Sequence, residues 1–154
     1  MSLYSIYSYI FYLCQSRSEY YVHSPFVYSV MQNCIREHSI FHIGEAHRLS
    51  ERIKKHHLTS AMPIRIIDND TDIVSYINST TPPDVILIIK KPHFSRHRER
   101  LFSTLCQRED ITLSIDTFFN GIIFPVRDMK KEHFVLNYFY NFYSLFIVFF
   151  SLDL

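Results

Sequence analysis

The stretch VILIIKKPHFS, residues 85–95, decides the fold class of this 154-residue chain. Its first half, Val85 to Ile89, is a continuous run of aliphatic, mostly β-branched side chains, which is typical of a strand covered on both faces. Its second half turns polar, and residues 95–108 then keep the spacing of an amphipathic helix. A shorter strand is predicted upstream, at residues 64–67, and a short helix is predicted between the two strands, at residues 72–78. Strand, helix and strand in this order predict a parallel crossover unit and an α/β fold.

A β-hairpin is predicted after this unit. Residues 111–119 alternate apolar and polar side chains, and residues 122–124 form a second apolar run. The pair Asn120-Gly121 separates them, and it is a strong hairpin signal because both central residues of the common two-residue turn need a positive φ. A further strand is predicted at residues 133–138. We therefore expect a sheet of mixed direction with a C-terminal hairpin that turns at Asn120-Gly121.

The first third of the chain predicts three helices. The first carries an aromatic and apolar stripe at helical spacing, formed by Ile6, Tyr7, Ile10, Phe11 and Cys14. The second begins at Ser24-Pro25, a capping residue followed by a proline suited to the first helical position, and its predicted buried stripe is Phe26, Val27, Val30, Met31, Cys34 and Ile35. The third follows Gly44 and buries Ile43, Ala46, Leu49 and Ile53. We expect a single domain over 1–154, with a helical part (1–58), an α/β part (63–138) and an aromatic tail (139–154).

Glycine is scarce, and this excludes several chemistries. The chain has 2 glycines, where average usage predicts roughly eleven. Glycine-rich loops that bring backbone N–H groups against a phosphate or a dinucleotide need several glycines in a short window. No such window exists in the sequence.

The ends of the chain and its cysteines bear on its compartment. Residues 134–150 approach the length of a membrane span, but Asn, Ser and Tyr side chains interrupt them, which favours a strand followed by an aromatic tail. Cys14, Cys34 and Cys106 are far apart and odd in number, so they form no disulfide framework. We expect a cytoplasmic protein without a membrane partner.

Three parts of the sequence carry a resemblance to a known family. They are VHSPFVY at 22–28, KKPHFS at 90–95, and the C-terminal pair IDTFFNGIIF at 115–124 and KEHFVL at 131–136. These segments resemble a bacterial family of class I S-adenosylmethionine-dependent methyltransferases, which carries Asp-Asp-Ile-His-Trp-Ser at the second place. The resemblance covers about residues 5 to 138 and implies a reduced Rossmann-like methyltransferase fold.

A gap within the resemblance implies a lost activity. Members of the family hold the cofactor with a strand, a glycine-rich turn and a helix, whereas this chain passes from the segment 44–57 almost directly to Pro63. Lys90 and Lys91 stand where the family has two acids, which reverses the local charge. The resemblance therefore implies a methyltransferase-like protein that is inactive. It also implies that the family's cofactor is S-adenosylmethionine and that this chain does not bind it.

His93 and Asp68 are the candidate catalytic and cofactor-binding residues. His93 follows the buried strand at the edge of the sheet where ligands bind in α/β folds, and it is the one base that the resemblance offers; the alternative is a histidine that bonds a loop for structural reasons. Asp68 ends the first predicted strand, where an acid can hold a ribose, or it is a turn residue. No metal site is expected, since His93 and His97 have no third ligand at matching spacing.

A basic segment supports the alternative function, a non-catalytic interaction module. Lys90, Lys91, Ser95 and Arg96 are the candidate substrate-binding or phosphate-binding residues, within a cluster that continues to Arg98 and Arg100. Against nucleic acid as the partner, the formal net charge of the chain is only +1. The aromatic stripe of the first helix and the tail are expected to bury against the sheet or a partner chain, which predicts a homodimer.

Overall fold

The fold is described from a computed structural model, which covers residues 3–16, 22–36, 45–56, 62–81, 83–125 and 130–136. Its helices are α1 (Leu3–Gln15), α2 (Pro25–Val30), α3 (Ala46–Lys55), α4 (Asp70–Ile77) and α5 (Arg96–Gln107). Helix α2 continues directly into a π-helical segment, Met31–Ile35. The strands are β1 (Ile64–Ile67), β2 (Ile86–Lys90), β3 (Leu113–Asp116), β4 (Asn120–Phe124) and β5 (Glu132–Val135).

The strands form one mixed sheet in the order β1-β2-β4-β3-β5. Strand β1 is parallel to β2, and β3 is parallel to β5, whereas β4 is antiparallel to both of its neighbours. The α/β fold and the parallel crossover from β1 to β2 through α4 are thus confirmed. The strand predicted at 133–138 corresponds to β5, and its last two predicted residues lie outside the described part of the chain.

Two hydrophobic cores lie on the two faces of the sheet. One face packs against α2, its π-helical extension and α3, and the predicted stripes of these helices are buried there, apart from the half-buried Phe26. Ile43 and Gly44 fall outside the described residues. The other face packs against α4 and α5 through Ile73, Phe102 and Leu105. Because both faces are covered, Ile86 to Ile89 of β2 are fully buried, as the continuous apolar run predicts.

The turn of the hairpin is not where the sequence predicts it. Asn120 and Gly121 lie within β4, opposite Lys90 and Ile89 of β2, and the chain reverses at Phe118 and Phe119 instead. Thr117 N–H donates to the Asn120 carbonyl at 3.0 Å across this two-residue turn, and Phe118 supplies the positive φ of 66°.

The reason for the glycine also differs from the prediction. Gly121 has no left-handed φ; its hydrogen faces the ring of Phe102, which leaves no room for a side chain. Asn120 is 1% exposed, and its side-chain amide has no hydrogen-bond partner among the described residues. The Asn-Gly pair is therefore buried within a strand rather than exposed in a turn.

Helix α1 presents to the protein a different face from the one expected. Its buried residues are Ser5, Ser8, Tyr9 and Tyr12, and they pack over the hairpin turn, where Tyr9 and Tyr12 join Phe118 and Phe119 in a third cluster. Of the predicted stripe, Tyr7, Ile10, Phe11 and Cys14 are exposed, and Ile6 is half-buried. The stripe thus does not bury against the sheet, because helical spacing identifies a stripe but not the side on which the protein lies. Its burial against a partner chain stays a prediction.

Candidate functional site

The candidate site is built on the turn that follows β2. Lys91 has a left-handed φ of 51°, and its N–H donates to the Phe119 carbonyl at 2.8 Å, which ties the turn to the hairpin. Ser95 then caps α5: its hydroxyl accepts from Arg98 N–H at 3.1 Å. This geometry holds His93 between the end of a buried strand and the start of a capped helix, with only 9% of its surface exposed.

Both ring nitrogens of His93 contact carboxylates. Nε2 lies 2.6 Å from Asp116 Oδ2, and Nδ1 lies 3.1 Å from Glu99 Oε1. An ionised carboxylate only accepts hydrogen bonds, so the ring satisfies both contacts when both nitrogens carry a proton. The arrangement therefore favours the imidazolium form of His93.

The electrostatics of the site act in the same direction. Burial of the ring lowers the pKa of His93, but the hydrogen bonds and charges of Asp116 and Glu99 together outweigh it, so the pKa of His93 is raised above 6.5. A second oxygen of Asp116, Oδ1, accepts from the Phe118 N–H at 2.9 Å. Asp116 thus fixes both the imidazole and the hairpin turn.

Aromatic rings surround the imidazole. Phe118 stacks on it with centroids 5.3 Å apart and planes inclined by 6°. Tyr12 and Phe102 flank it at 5.9 and 6.2 Å. The negative faces of aromatic rings attract a cation, so the stack also favours protonated His93.

Helix α1 is attached to this centre by polar side chains. The Tyr4 hydroxyl donates to Glu99 Oε2, and the Ser8 hydroxyl lies 3.5 Å from the same oxygen. The Tyr12 hydroxyl lies within hydrogen-bond distance of the carbonyl oxygens of Asp116 and Leu136. These contacts explain why the polar face of α1 is the buried one.

A cavity of about 410 Å³ opens beside His93, between α1 and α5. Its floor carries His133 and Val135 of β5, and its walls are formed by Ser8, Phe11, Tyr12 and Gln15 from α1 and by Glu99, Phe102, Ser103, Cys106 and Gln107 from α5. The volume lies within the range of small-molecule sites, about 300–1,000 Å³.

The polar groups of the cavity differ in their protonation. The Ser114 hydroxyl contacts His133 Nδ1 at 2.7 Å. Desolvation by the surrounding protein lowers the pKa of His133 and outweighs the opposing charge of Asp116, although the ring reaches solvent. The lowered pKa favours the neutral form at pH 7. Burial raises the pKa of the Cys106 thiol to about 12, so this thiol is not a nucleophile. The cavity thus combines an imidazolium bound to the carboxylates of Glu99 and Asp116, a neutral imidazole, the Lys131 side chain and aromatic surface.

The other predicted site residues do not join His93. Asp68 and Lys90 form an ion pair of 2.6 Å at the ends of β1 and β2. Lys91 is exposed with its ammonium 5.3 Å from the centre of the Phe94 ring, and Arg96 is also exposed. Ser95 is occupied as the helix cap. None of the hydrogen-bond partners of His93 among the described residues is a residue that the sequence predicted for the site.

Sequence reasoning missed Asp116, Glu99 and Tyr12. Asp116 stands at a polar position of the alternating run 111–119, which predicts exposure to solvent, yet it is 4% exposed in the structure. A buried charge needs a partner, but the pattern does not show that this one is buried. Glu99 and Tyr12 carry no signal either, because their contacts depend on how α5 and α1 lie against the sheet.

Comparison of the sequence with protein-family models, with curated proteins and with solved structures found no match. The described residues contain no cluster of three or more His, Cys, Asp or Glu side chains placed to bind a metal ion. Among the described helices, none has the length and apolarity that crossing a membrane requires.

Proposed function

We propose that this chain is a methyltransferase-like protein that does not transfer methyl groups and that keeps a reduced Rossmann-like scaffold as a small-molecule binding domain. The observation that carries the proposal is the pair of carboxylates on the two nitrogens of His93. It fixes His93 as an imidazolium between two carboxylates in the wall of a cavity.

Methyl transfer to a protic acceptor requires a base that takes up the proton of the acceptor. An imidazolium has no free lone pair, and His93 could offer one only if it lost the proton shared with Asp116 or Glu99. That step would leave one of the two carboxylates without its hydrogen-bond donor, which disfavours it. The geometry therefore argues against His93 as a general base.

The proposed loss of S-adenosylmethionine binding rests on Asp68 and Gly121. The carboxylate of Asp68 is engaged by Lys90, whose hydrogen bond lowers the pKa of Asp68. Gly121 lies in β4 against Phe102 and takes no part in a cofactor turn. Neither residue supplies the acid or the glycine loop that a ribose and its neighbouring groups require.

Titration calorimetry with S-adenosylmethionine and S-adenosylhomocysteine tests the loss of the cofactor. We expect no heat of binding with a Kd below about 1 mM. The proposal would be overturned, in favour of an active methyltransferase, by a micromolar Kd for either compound. In that case Asp68→Asn should abolish binding, and Asp72→Asn on the neighbouring helix should leave it unchanged.

The binding role is tested at the cavity itself. A ligand-observed NMR screen of small heteroaromatic compounds that carry a hydrogen-bonding group should find binders with millimolar or better affinity. Ser103→Trp places a large side chain into the wall from an exposed position and should abolish binding, whereas Ser75→Trp on α4 should not. Absence of binders, or binders indifferent to Ser103→Trp, would contradict the binding role.

The alternative function, phosphate or nucleic-acid binding by the basic segment, has less support. Lys90 pairs with Asp68, and Arg98 pairs with Asp70, so their charges are neutralised within the protein. The exposed cations that remain in this segment are Lys91, Arg96 and Arg100.

We also propose a cytoplasmic location. Cys14, Cys34 and Cys106 are free thiols in the structure. A reducing compartment keeps thiols in this state.

A further inference from the structure

The side of α1 that faces away from the protein is apolar. Leu3 is 86% exposed, Tyr7 70%, Phe11 55% and Ile10 51%. These side chains recur at helical spacing and form one stripe, which we call the outward face of α1. Cys14, one turn further, is also exposed.

The outward face carries no charged side chain that would favour contact with water. The sequence of α1, LYSIYSYIFYLCQ, contains no charged residue. The polar side chains Ser5 and Ser8 are instead buried toward the candidate site. A contiguous exposed apolar surface of this kind marks a site of contact with another apolar group.

The C-terminal segment, residues 137–154, begins next to this helix. Its sequence, NYFYNFYSLFIVFFSLDL, is apolar and aromatic, with Asp153 as its only charge. Leu136, the residue before it, donates its N–H to the Asp116 carbonyl at 2.8 Å and accepts from the Tyr12 hydroxyl. The chain thus leaves the sheet at a point bonded to α1.

We infer that the outward face of α1 is the docking surface for residues 137–154 of the same chain. The reach is sufficient: Leu3 lies about 14 Å from Tyr12 along the helix axis, and about five extended residues span that distance. Docking there covers the apolar outward face of α1 with a segment whose sequence is itself apolar.

A second copy of the chain is the competing occupant, and two arguments favour the tail. A helix of 13 residues is about 20 Å long, and one of its faces falls well short of the roughly 800 Å² per partner that stable interfaces bury. The tail, in contrast, is tethered beside the helix, and a short tether gives a millimolar effective concentration. Little area is then needed for docking within the chain.

The native cysteines provide the test in the 154-residue chain. Cys14 adjoins the outward face, whereas burial raises the pKa of Cys34 to about 11 and that of Cys106 to about 12, so these two do not compete for an alkylating reagent in the folded state. We expect iodoacetamide to modify Cys14 about tenfold faster in the double variant Phe146→Asp/Phe149→Asp than in the wild type. Ser151→Asp, which adds one charge near the tail's own Asp153, serves as the matched control and should change the rate less than twofold.

Other outcomes would overturn the inference. Equal rates in wild type and double variant mean that the tail does not cover α1. Protection of Cys14 that increases with protein concentration between 1 and 100 μM identifies a second copy as the occupant. Protection that requires added phosphatidylcholine vesicles identifies a lipid surface.

A second measurement covers the case in which the double variant does not fold. Benzophenone maleimide attached to Cys14 of the wild type is photoactivated, and the products are mapped by mass spectrometry. Crosslinks within one chain to residues 137–154 are expected. Covalent dimers, or intrachain crosslinks only to other segments, would contradict the inference.

Discussion

The ring of Phe102 occupies the space in which a side chain at residue 121 would begin: a Cβ atom on Gly121 would come within 2.3 Å of Phe102 Cε2. Phe102 is 2% exposed and lies beside the His93 and His133 rings, so it has little freedom to withdraw. One of the two glycines of the chain is thus explained by packing.

Gly121→Ala is therefore expected to destabilise the protein by about 1–3 kcal/mol, the usual cost of inserting a methyl group into a packed interior. Urea denaturation measures the change. The same substitution in a Phe102→Leu background should cost clearly less, because the smaller side chain leaves room. An equal cost in both backgrounds would show that Phe102 is not the obstacle.

Phe118 combines a buried ring with a backbone conformation that disfavours a side chain. Its φ is 66°, and its ring is fully buried against Tyr9, Tyr12 and His93. Both Phe118→Ala and Phe118→Gly lose this packing, at about 3–5 kcal/mol. Because only glycine adopts a positive φ without strain, we expect the glycine variant to be the more stable of the two by about 1 kcal/mol.

The neighbouring residue provides the control for this ranking. Phe119 lies in the same turn without a positive φ, so Phe119→Ala should be more stable than Phe119→Gly, the ordinary order. Equilibrium unfolding of the four variants tests the contrast. The same order at both positions would contradict the argument from backbone strain.

The imidazolium of His93 predicts a particular dependence of stability on pH. The folded-state pKa of His93 lies above 6.5, its ordinary value, so its contribution to the free energy of unfolding is fully present below about pH 6.5 and is lost as the pH rises through the raised value. The difference in stability between wild type and His93→Gln, measured in urea from pH 5.5 to 9, should therefore shrink with rising pH.

His133 should behave in the opposite way, because its folded-state pKa is lowered. Its stabilising contribution is present above pH 6.5 and is lost as the pH falls through the lowered value. The wild type should therefore lose stability relative to His133→Gln on acidification. NMR titration of the two rings gives the pKa values directly, and a His93 ring that titrates below 6.5 would sink the imidazolium assignment.

Ser95 is expected to act as a helix cap. Its hydroxyl accepts from Arg98 N–H, and loss of such a cap costs about 0.5–2 kcal/mol. Ser95→Ala should therefore destabilise the protein by this amount, whereas Ser103→Ala, at an exposed position within α5, should be neutral or slightly stabilising. If Ser95→Ala and Ser103→Ala had the same thermal midpoint, the capping role would be excluded.

The elements of the fold were largely predictable, because local patterns determine them. The unbroken apolar run at 85–89 predicts a strand buried on both faces, and the Ser24-Pro25 pair predicts the start of α2, where the Ser24 hydroxyl accepts from Val27 N–H at 3.4 Å. The hairpin was predicted, but not its turn. Asn-Gly normally indicates a turn because of backbone freedom, and the sequence gives no sign that Gly121 serves the packing of Phe102.

The candidate site was predictable only at His93. Its partner Glu99 lies on the next helix, and Asp116 lies on a strand that is 23 residues away in sequence. These contacts depend on the placement of whole elements, which no spacing rule encodes. The inward face of α1 was missed for a related reason: Ser8 and Tyr12 are buried because they bond Glu99 and the hairpin, and a polar pattern normally indicates solvent.

The strand order has a consequence for the sequence of folding events. The β3–β4 hairpin closes over a two-residue turn, whereas the pairing of β2 with β4 brings together residues as distant as Leu87 and Ile123. Closing a longer loop costs more chain entropy, so we expect the hairpin to be structured in the transition state and the pairing of β2 with β4 to form afterwards. In stopped-flow experiments, Ile122→Val should then slow refolding, while Ile88→Val in β2 should mainly accelerate unfolding.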